Sequence, residues 1–183
     1  MNSFSDDRSS SNRAISETVT LVPYDPAWPA MFSLEQARLA ELFPGQLILE
    51  HIGSTAVPGM PAKPIVDCMA AVASMEIADR LVEQLCENGY TTSAGFNQSL
   101  GDRRWLMRHA AGRRTHHLHL VLRGSSYLAD SIRFRDALRA DAQLARKYAE
   151  LKEDLARKFA ADREAYGAAK SAFVIAVLRN TQR

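Results

Sequence analysis

Cysteine is scarce in this chain of 183 residues, which contains only Cys68 and Cys86. The two cysteines form no C-x-x-C motif and are too few for a disulfide framework, so we expect reduced thiols in a cytoplasmic protein. No apolar stretch reaches the length of a membrane span, and the N-terminus lacks the apolar centre of a signal peptide. We therefore expect neither a disulfide-stabilised secreted domain nor a membrane partner.

The composition is that of an ordinary globular protein, but the charge is unevenly distributed. Hydrophobic residues make up 46% of the chain and charged residues 24%. Residues 1–101 carry 5 basic and 12 acidic side chains, whereas residues 102–183 carry 18 basic and 9 acidic ones. This asymmetry indicates either two solvated faces that attract each other or a basic wall that faces an anionic ligand such as a phosphate.

The chain divides into a polar tail and one domain. Residues 1–17 include six serines and few apolar side chains, which predicts a disordered tail. Residues 18–183 are predicted to form a single domain, with strands over 46–52, 65–72 and 115–124 and a helix over 75–87. From about residue 126 the apolar spacing becomes helical. The pattern predicts two or three layers of helices and strands.

The segment EHIGSTAVPGMPAKPIVDCM, residues 50–69, holds the first candidate site residues. Gly53 and Ser54 follow a predicted strand, where backbone amides can turn toward a phosphate. Lys63 lies in a loop that three prolines stiffen, and Asp67 interrupts an apolar strand, where an unpaired carboxylate is costly. These two charges indicate a phosphate complex with a metal; an ion pair between Lys63 and Asp67 without function is the alternative.

The HHLH motif holds the second group of candidate residues. Side chains alternate along a strand, so His117 and His119 share one face, whereas we interpret His116 as a core histidine. Two histidines on one face suit metal ligation or acid/base chemistry on a phosphate ester. The motif is also similar to that of histidine-triad nucleotide hydrolases, but Val121 replaces their third histidine. No further cysteine or histidine stands at zinc-ligand spacing.

Several segments together resemble a known family. VPYDPAWPAMF, EHIGSTAVPGMPAKPIVD, RTHHLHLV, FRDALRAD, YAELK and YGAAKSAFV occur in the order seen in GrpB-family proteins, and the resemblance covers about residues 20–178. GrpB proteins are similar to the nucleotidyltransferase (polymerase-β-like) superfamily, and in actinobacteria such a domain is fused to dephospho-CoA kinase. The resemblance implies an α+β fold with a nucleotidyltransferase-like mixed β-sheet, packed helices and a helical C-terminal part.

The resemblance also implies roles for single positions. The Gly-Ser pair corresponds to the phosphate-cradling turn of the superfamily, and Asp67 corresponds to the first acidic residue of its metal-binding Asp-x-Asp. The second acidic position is Met69 here. Asp67 would then hold Mg²⁺ together with the substrate phosphates and one further protein ligand. Strand alternation lets either Glu50 or His51 face the site, and we favour His51 as the second ligand.

The sequence thus predicts a protein that binds a nucleotide or another phosphorylated small molecule, with nucleotidyl or phosphoryl transfer aided by Mg²⁺ as the expected reaction. The predicted catalytic residues are Asp67, His117 and His119. The predicted ligand-binding residues belong to the turn or to the basic wall: Gly53, Ser54, Thr55, Lys63, Arg103, Arg104, Arg135, Arg139, Tyr148 and Lys152.

Two other function classes compete with this one. The same pocket in a non-catalytic, ligand-binding or chaperone-like module would serve a partner enzyme, for example in CoA metabolism, and Met69 favours that hypothesis. Nucleic-acid binding ranks third, because the basic half would allow it but no helix-turn-helix, zinc-finger or RNA-recognition signature is present.

Overall fold

The computed structural model describes residues 18–181, so the predicted tail over residues 1–17 lies outside the described residues. A 3₁₀ turn, Ser54–Ala56, follows the first strand. The helices and strands of the described part are, in chain order, α1 (Trp28–Leu42), β1 (Leu49–Ile52), β2 (Val66–Val72), α2 (Met75–Glu87), β3 (Tyr90–Thr91), α3 (Ala94–Gln98), β4 (Arg103–Ala110), β5 (Arg113–Leu122), α4 (Ser126–Ala140), α5 (Ala142–Lys158) and α6 (Arg163–Asn180).

The strands form one mixed sheet in the order β1-β2-β5-β4-β3. β2 and β5 pair in parallel, and the other neighbours are antiparallel. A parallel pair needs a long connection, which α2, β3, α3 and β4 supply here. The predicted α+β class, with a mixed sheet and a helical C-terminal part, is confirmed.

Strand alternation gives the sheet two different faces. One face carries Cys68, Leu118 and Leu120 and packs with α1 and α2 into the main core. The other face carries Met69 and Val121, against which residues of α4 pack. This second face also carries the polar side chains of the candidate site, so the helical C-terminal part covers the site rather than the main core.

Side-chain caps fix where the C-terminal helices begin. Asp141 accepts hydrogen bonds from the backbone N–H groups of Gln143 and Leu144 at the start of α5, and Asp162 accepts one from Ala165 at the start of α6. Such caps satisfy N–H groups that a helix leaves unpaired. Within the described residues, none of the helices is long and apolar enough to span a bilayer.

Glu35 is a buried carboxylate that joins α1 to the edge of the sheet. Its side chain accepts hydrogen bonds from the Arg38 guanidinium at 2.5 Å and from the Tyr90 hydroxyl at 2.8 Å, and it forms an ion pair with Arg108 on β4. Burial by itself raises the pKa of Glu35, but these hydrogen bonds and charges outweigh burial and leave the pKa below its usual value. No pattern in the sequence indicates a role for this residue.

We predict that Glu35→Ala lowers the free energy of unfolding by about 2–3 kcal/mol, because it leaves two arginines and a buried hydroxyl without their acceptor. Chemical denaturation measures the change. Glu41→Ala is the matched control, since Glu41 lies on the same helix with an exposed side chain, and its effect should stay below about 0.5 kcal/mol. Equal effects of the two substitutions would refute a structural role for the Glu35 cluster.

Candidate functional site

A glycine lets the turn after β1 touch the neighbouring strand. Gly53 has φ 72° and ψ −169°, a backbone conformation that side-chain-bearing residues rarely adopt. A Cβ atom at this position would lie 2.6 Å from Oδ2 of Asp67, which is closer than two such atoms can approach. The backbone of the turn and the carboxylate of Asp67 therefore pack as one unit.

Asp67 and His117 form a hydrogen-bonded pair across the two parallel strands. They are register partners on β2 and β5, and Nδ1 of His117 lies 2.9 Å from Oδ1 of Asp67. Since an ionised carboxylate only accepts, Nδ1 carries the proton. Burial raises the pKa of Asp67, but the hydrogen bond and charge of His117, with His119 and Lys63 nearby, lower the pKa to about 2. The carboxylate is thus ionised at neutral pH.

His119 lies two residues after His117 on β5, on the same face of the sheet. Its register partners are Met69 on β2 and Trp105 on β4. Within residues 18–181, the buried Nδ1 atom of His119 has no hydrogen-bond partner. Burial lowers the pKa of His119 to about 4, so the ring is neutral at pH 7. Close by, the Arg103 guanidinium lies 4.3 Å from the centre of the Tyr127 ring, which holds that cation at the edge of the site.

Lys152 reaches the turn from α5. Its side chain is buried, and Nζ donates hydrogen bonds to Oγ of Ser54 at 3.0 Å and to the carbonyl of Pro61. Burial, followed by the nearby charge of Lys170, lowers the pKa of Lys152 to about 7. The side-chain amine of Lys152 therefore titrates near neutral pH, and small changes in its surroundings decide whether it is protonated.

These residues line a cavity of about 390 Å³, which we call the central cleft. Aromatic side chains form part of its wall, and Phe96 and Trp105 meet edge to face with ring centres 5.5 Å apart. Its lining includes one carboxylate, Asp67, and four cationic side chains: Lys63, Arg103, Lys152 and Lys170. The cleft is therefore biased toward anionic ligands.

The structure brings most of the predicted site residues to the central cleft. Those that line it are Gly53, Ser54, Thr55, Lys63, Asp67, Arg103, His117, His119, Tyr148 and Lys152. Their roles stay predictions, whereas their proximity is a property of the fold. Asp67 is hydrogen-bonded to His117, and the charge of Lys63 also acts on the Asp67 carboxylate.

Three predicted ligand-binding arginines lie elsewhere. Arg104 points to the opposite face of the sheet, where it donates to Asp79 of α2 at 2.5 Å. Arg135 donates to Glu50 at 2.9 Å and to a backbone carbonyl of β1, and Arg139 donates to a backbone carbonyl of the 3₁₀ turn. None of the three is among the cleft-lining residues of the described chain. Their described contacts tie helices to the sheet and the turn.

His51, predicted to ligate a metal beside Asp67, lies on the other face of the sheet. Its register partner is Cys68, and paired residues of antiparallel strands point to the same side. The ring stacks on Phe32 with centres 4.7 Å apart, and Nε2 lies 3.0 Å from Oγ1 of Thr55. Burial lowers the pKa of His51 to about 4. The structure therefore assigns this histidine to the packing of the turn.

The donor set does not fit a two-metal centre. Among residues 18–181, no three His, Cys, Asp or Glu side chains are placed to hold a metal ion together. Met69, at the position where the resemblance to the superfamily implies a second carboxylate, is fully buried. Magnesium in proteins rests on carboxylates, substrate phosphates and water, and Asp67 supplies only one of these ligands from the protein side.

Four aromatic or basic residues of the cleft lining were not among the predicted site residues: Phe96, Trp105, Tyr166 and Lys170. Trp105 stands two positions after Arg103, so strand alternation could have placed it on the same face. Tyr166 and Lys170 are four residues apart on α6, the spacing of neighbours on one helix face, and the Lys170 ammonium lies 4.3 Å from the Tyr166 ring centre. Phe96 carries no such signal.

Comparisons with known proteins agree with this architecture. The sequence model of a family described as GrpB protein matches residues 18–180. UPF0157 protein YqkA of Bacillus subtilis is 37% identical over 139 residues, which are 75% of this chain and 40% of that protein. A crystal structure of the conserved protein GrpB from Enterococcus faecalis superposes with a TM-score of 0.77 at 31% identity and covers 88% of this chain and 96% of that one.

A shorter match links the chain to an enzyme. Dephospho-CoA kinase of Mycolicibacterium paratuberculosis is 42% identical over 76 residues, which are 39% of this chain and 19% of that protein. The chain also spans less than half of the Bacillus relative. These partial overlaps mean that the matching segment stands beside other sequence in both relatives.

We predict that Gly53→Ala destabilises the fold by about 2–4 kcal/mol, because the added methyl group meets Asp67 in a strained backbone conformation. Gly59→Ala is a matched control: Gly59 also has a positive φ, 76°, but no atom lies within 4 Å of a Cβ added there. It carries only the backbone cost, about 1 kcal/mol. Thermal denaturation distinguishes the two, and similar losses would contradict a close contact between the turn and Asp67.

Proposed function

Because the chain belongs to the GrpB family and its motifs resemble those of the nucleotidyltransferase superfamily, we propose that the central cleft binds a nucleotide or another phosphorylated small molecule. The excess of four basic side chains over one carboxylate among the described residues of its lining carries this proposal. Phosphate groups bring the negative charge that such a lining favours, and the neighbouring turn adds backbone N–H groups.

The phosphate binds between the Gly53-Ser54 turn and Lys152. Lys152 already donates to Ser54, so a phosphate oxygen placed against the serine lies within reach of the same ammonium group. The phosphate charge stabilises the protonated lysine and raises its pKa from about 7. Lys63, in the proline-rich loop, also lines the cleft. Binding is therefore coupled to proton uptake.

Aromatic side chains at the cleft give a nucleobase or another flat group a surface on which to stack. Phe96 is half exposed, on the short helix α3, and meets Trp105 edge to face. Exposed aromatic rings beside a cationic groove are a common arrangement for stacking bases. This feature favours a nucleotide over a simple phosphorylated sugar.

The Asp67–His117 pair supplies acid/base chemistry for a transfer reaction. Asp67 orients the ring with Nδ1–H toward its carboxylate, and in that arrangement a histidine accepts a proton at its other nitrogen. In the proposed reaction His117 takes the proton of an acceptor hydroxyl, whose oxygen forms a bond to the attacked phosphorus. The bond from that phosphorus to the leaving group breaks, and the leaving group, pyrophosphate in nucleotidyl transfer or a nucleoside diphosphate in phosphoryl transfer, departs with the electron pair. This step is not routed through a metal, and Mg²⁺ held by Asp67 together with the substrate phosphates stays a prediction.

A non-catalytic module that serves a partner enzyme is the second candidate. Two observations favour it: Met69 at the second acidic position, and the partial match to a dephospho-CoA kinase. This candidate uses the same cleft without turnover. Nucleotide consumption with candidate acceptors separates the two, since a catalytic protein loses turnover with His117→Gln, whereas a binding module shows none in the wild type.

We predict that Lys63→Ala weakens binding of nucleoside diphosphates about tenfold, because one phosphate-facing cation is lost. Isothermal titration calorimetry measures the affinity. Lys147→Ala is the control, since Lys147 is exposed on α5 and does not line the cleft, and it should change the affinity less than about twofold. If wild type binds none of the phosphorylated ligands, or if both variants bind as wild type does, phosphate binding in this cleft is refuted.

A further inference from the structure

A second cavity adjoins the central cleft. It has a volume of about 540 Å³ and lies between the second face of the sheet and helices α4 and α6. The two cavities share six lining residues: Gly53, Ser54, Asp67, His119, Tyr148 and Lys170. The shared wall thus includes the Gly53-Ser54 turn, against which the proposed function places the phosphate.

The remainder of the second cavity is largely apolar. Seven aliphatic or aromatic side chains line it away from the shared wall: Ile52, Tyr127, Phe134, Leu138, Val174, Ile175 and Leu178. Two of its polar side chains already have partners in the protein. Ser131 donates to the backbone carbonyl of Tyr127 at 2.7 Å, and Asp130 forms an ion pair with Arg133. This wall therefore offers an occupant apolar burial more than hydrogen bonds.

We propose that the second cavity binds an aliphatic chain attached to the phosphate of the same ligand, so that the ligand class is a phosphoester with an apolar substituent. This inference rests on the proposed function, since the shared wall is the proposed phosphate site. An apolar group beyond that wall can enter the second cavity while the phosphate stays at the turn, and a polar or aromatic group can occupy the central cleft at the same time. Both volumes fall in the range of small-molecule sites.

The test varies the length of the alkyl chain on a phosphate probe. Calorimetry compares inorganic phosphate with butyl, hexyl and octyl phosphate, each below its micelle concentration. Burial of apolar surface predicts that affinity rises about two- to fourfold for each added methylene in the wild-type protein. A nucleoside monophosphate, which has no aliphatic chain, reports on the central cleft alone.

Gly167→Leu fills the second cavity from α6. Gly167 lines this cavity, and no atom lies within 4 Å of a Cβ added there, so the larger side chain has room and a helix interior tolerates leucine better than glycine. We expect the gain with chain length to disappear while inorganic phosphate and the nucleotide bind within about twofold of wild type. Ala172→Leu, at an exposed position of the same helix outside the cavity lining, should keep the gain.

Val174→Trp is a second filling variant, at a half-buried position of the lining, and should reproduce the result of Gly167→Leu. The inference is overturned if octyl phosphate binds wild type no better than inorganic phosphate, or if the filling variants weaken both equally. In the first case nucleotide binding still stands, so the proposed function survives. Failure of phosphate and nucleotide alike to bind wild type would remove the proposed function as well.

Discussion

The contact between the turn after β1 and the carboxylate of Asp67 is the constraint on which the rest of the site depends. Only a residue without a side chain can occupy position 53, since a Cβ atom would lie 2.6 Å from the carboxylate oxygen. His117 holds the same carboxylate from the next strand at 2.9 Å. The parallel pairing of β2 with β5 sets this alignment, so the sheet fixes the positions of the turn, the Asp67 carboxylate and the His117 ring relative to one another.

The uneven charge distribution of the sequence is reflected in the lining of the central cleft. Of the four basic side chains that line the central cleft in the described part of the chain, one, Lys63, belongs to the acidic first half. Arg103, Lys152 and Lys170 come from the basic second half, two of them on the C-terminal helices that cover the site. Burying a lysine costs free energy unless its charge is matched, and the lowered pKa of Lys152 expresses that cost. A bound phosphate would compensate it.

Sequence patterns predicted the parts of the site that strand alternation and turn chemistry determine. The shared face of His117 and His119 and the glycine turn are of this kind, because both follow from local geometry. His51 was placed wrongly because the face that a residue of β1 occupies depends on its register with β2. The positions of Arg135 and Arg139 depend on how α4 packs, which local spacing leaves open. Phe96 reaches the cleft only through the long connection between the parallel strands, and no local pattern encodes that path.

Proton uptake on binding tests the central claim, that a phosphate group lies against the buried lysine at the turn. Lys152 is mostly neutral at about pH 8 in the free protein, because its pKa is about 7, and a phosphate neighbour raises that pKa above about 8. Calorimetric titration of a nucleoside diphosphate in two buffers of different ionisation enthalpy gives the number of protons exchanged. We predict uptake of about half a proton or more by the wild type at about pH 8, falling markedly with Lys152→Met. Binding with no net proton uptake by wild type, or equal uptake by both proteins, would contradict the account.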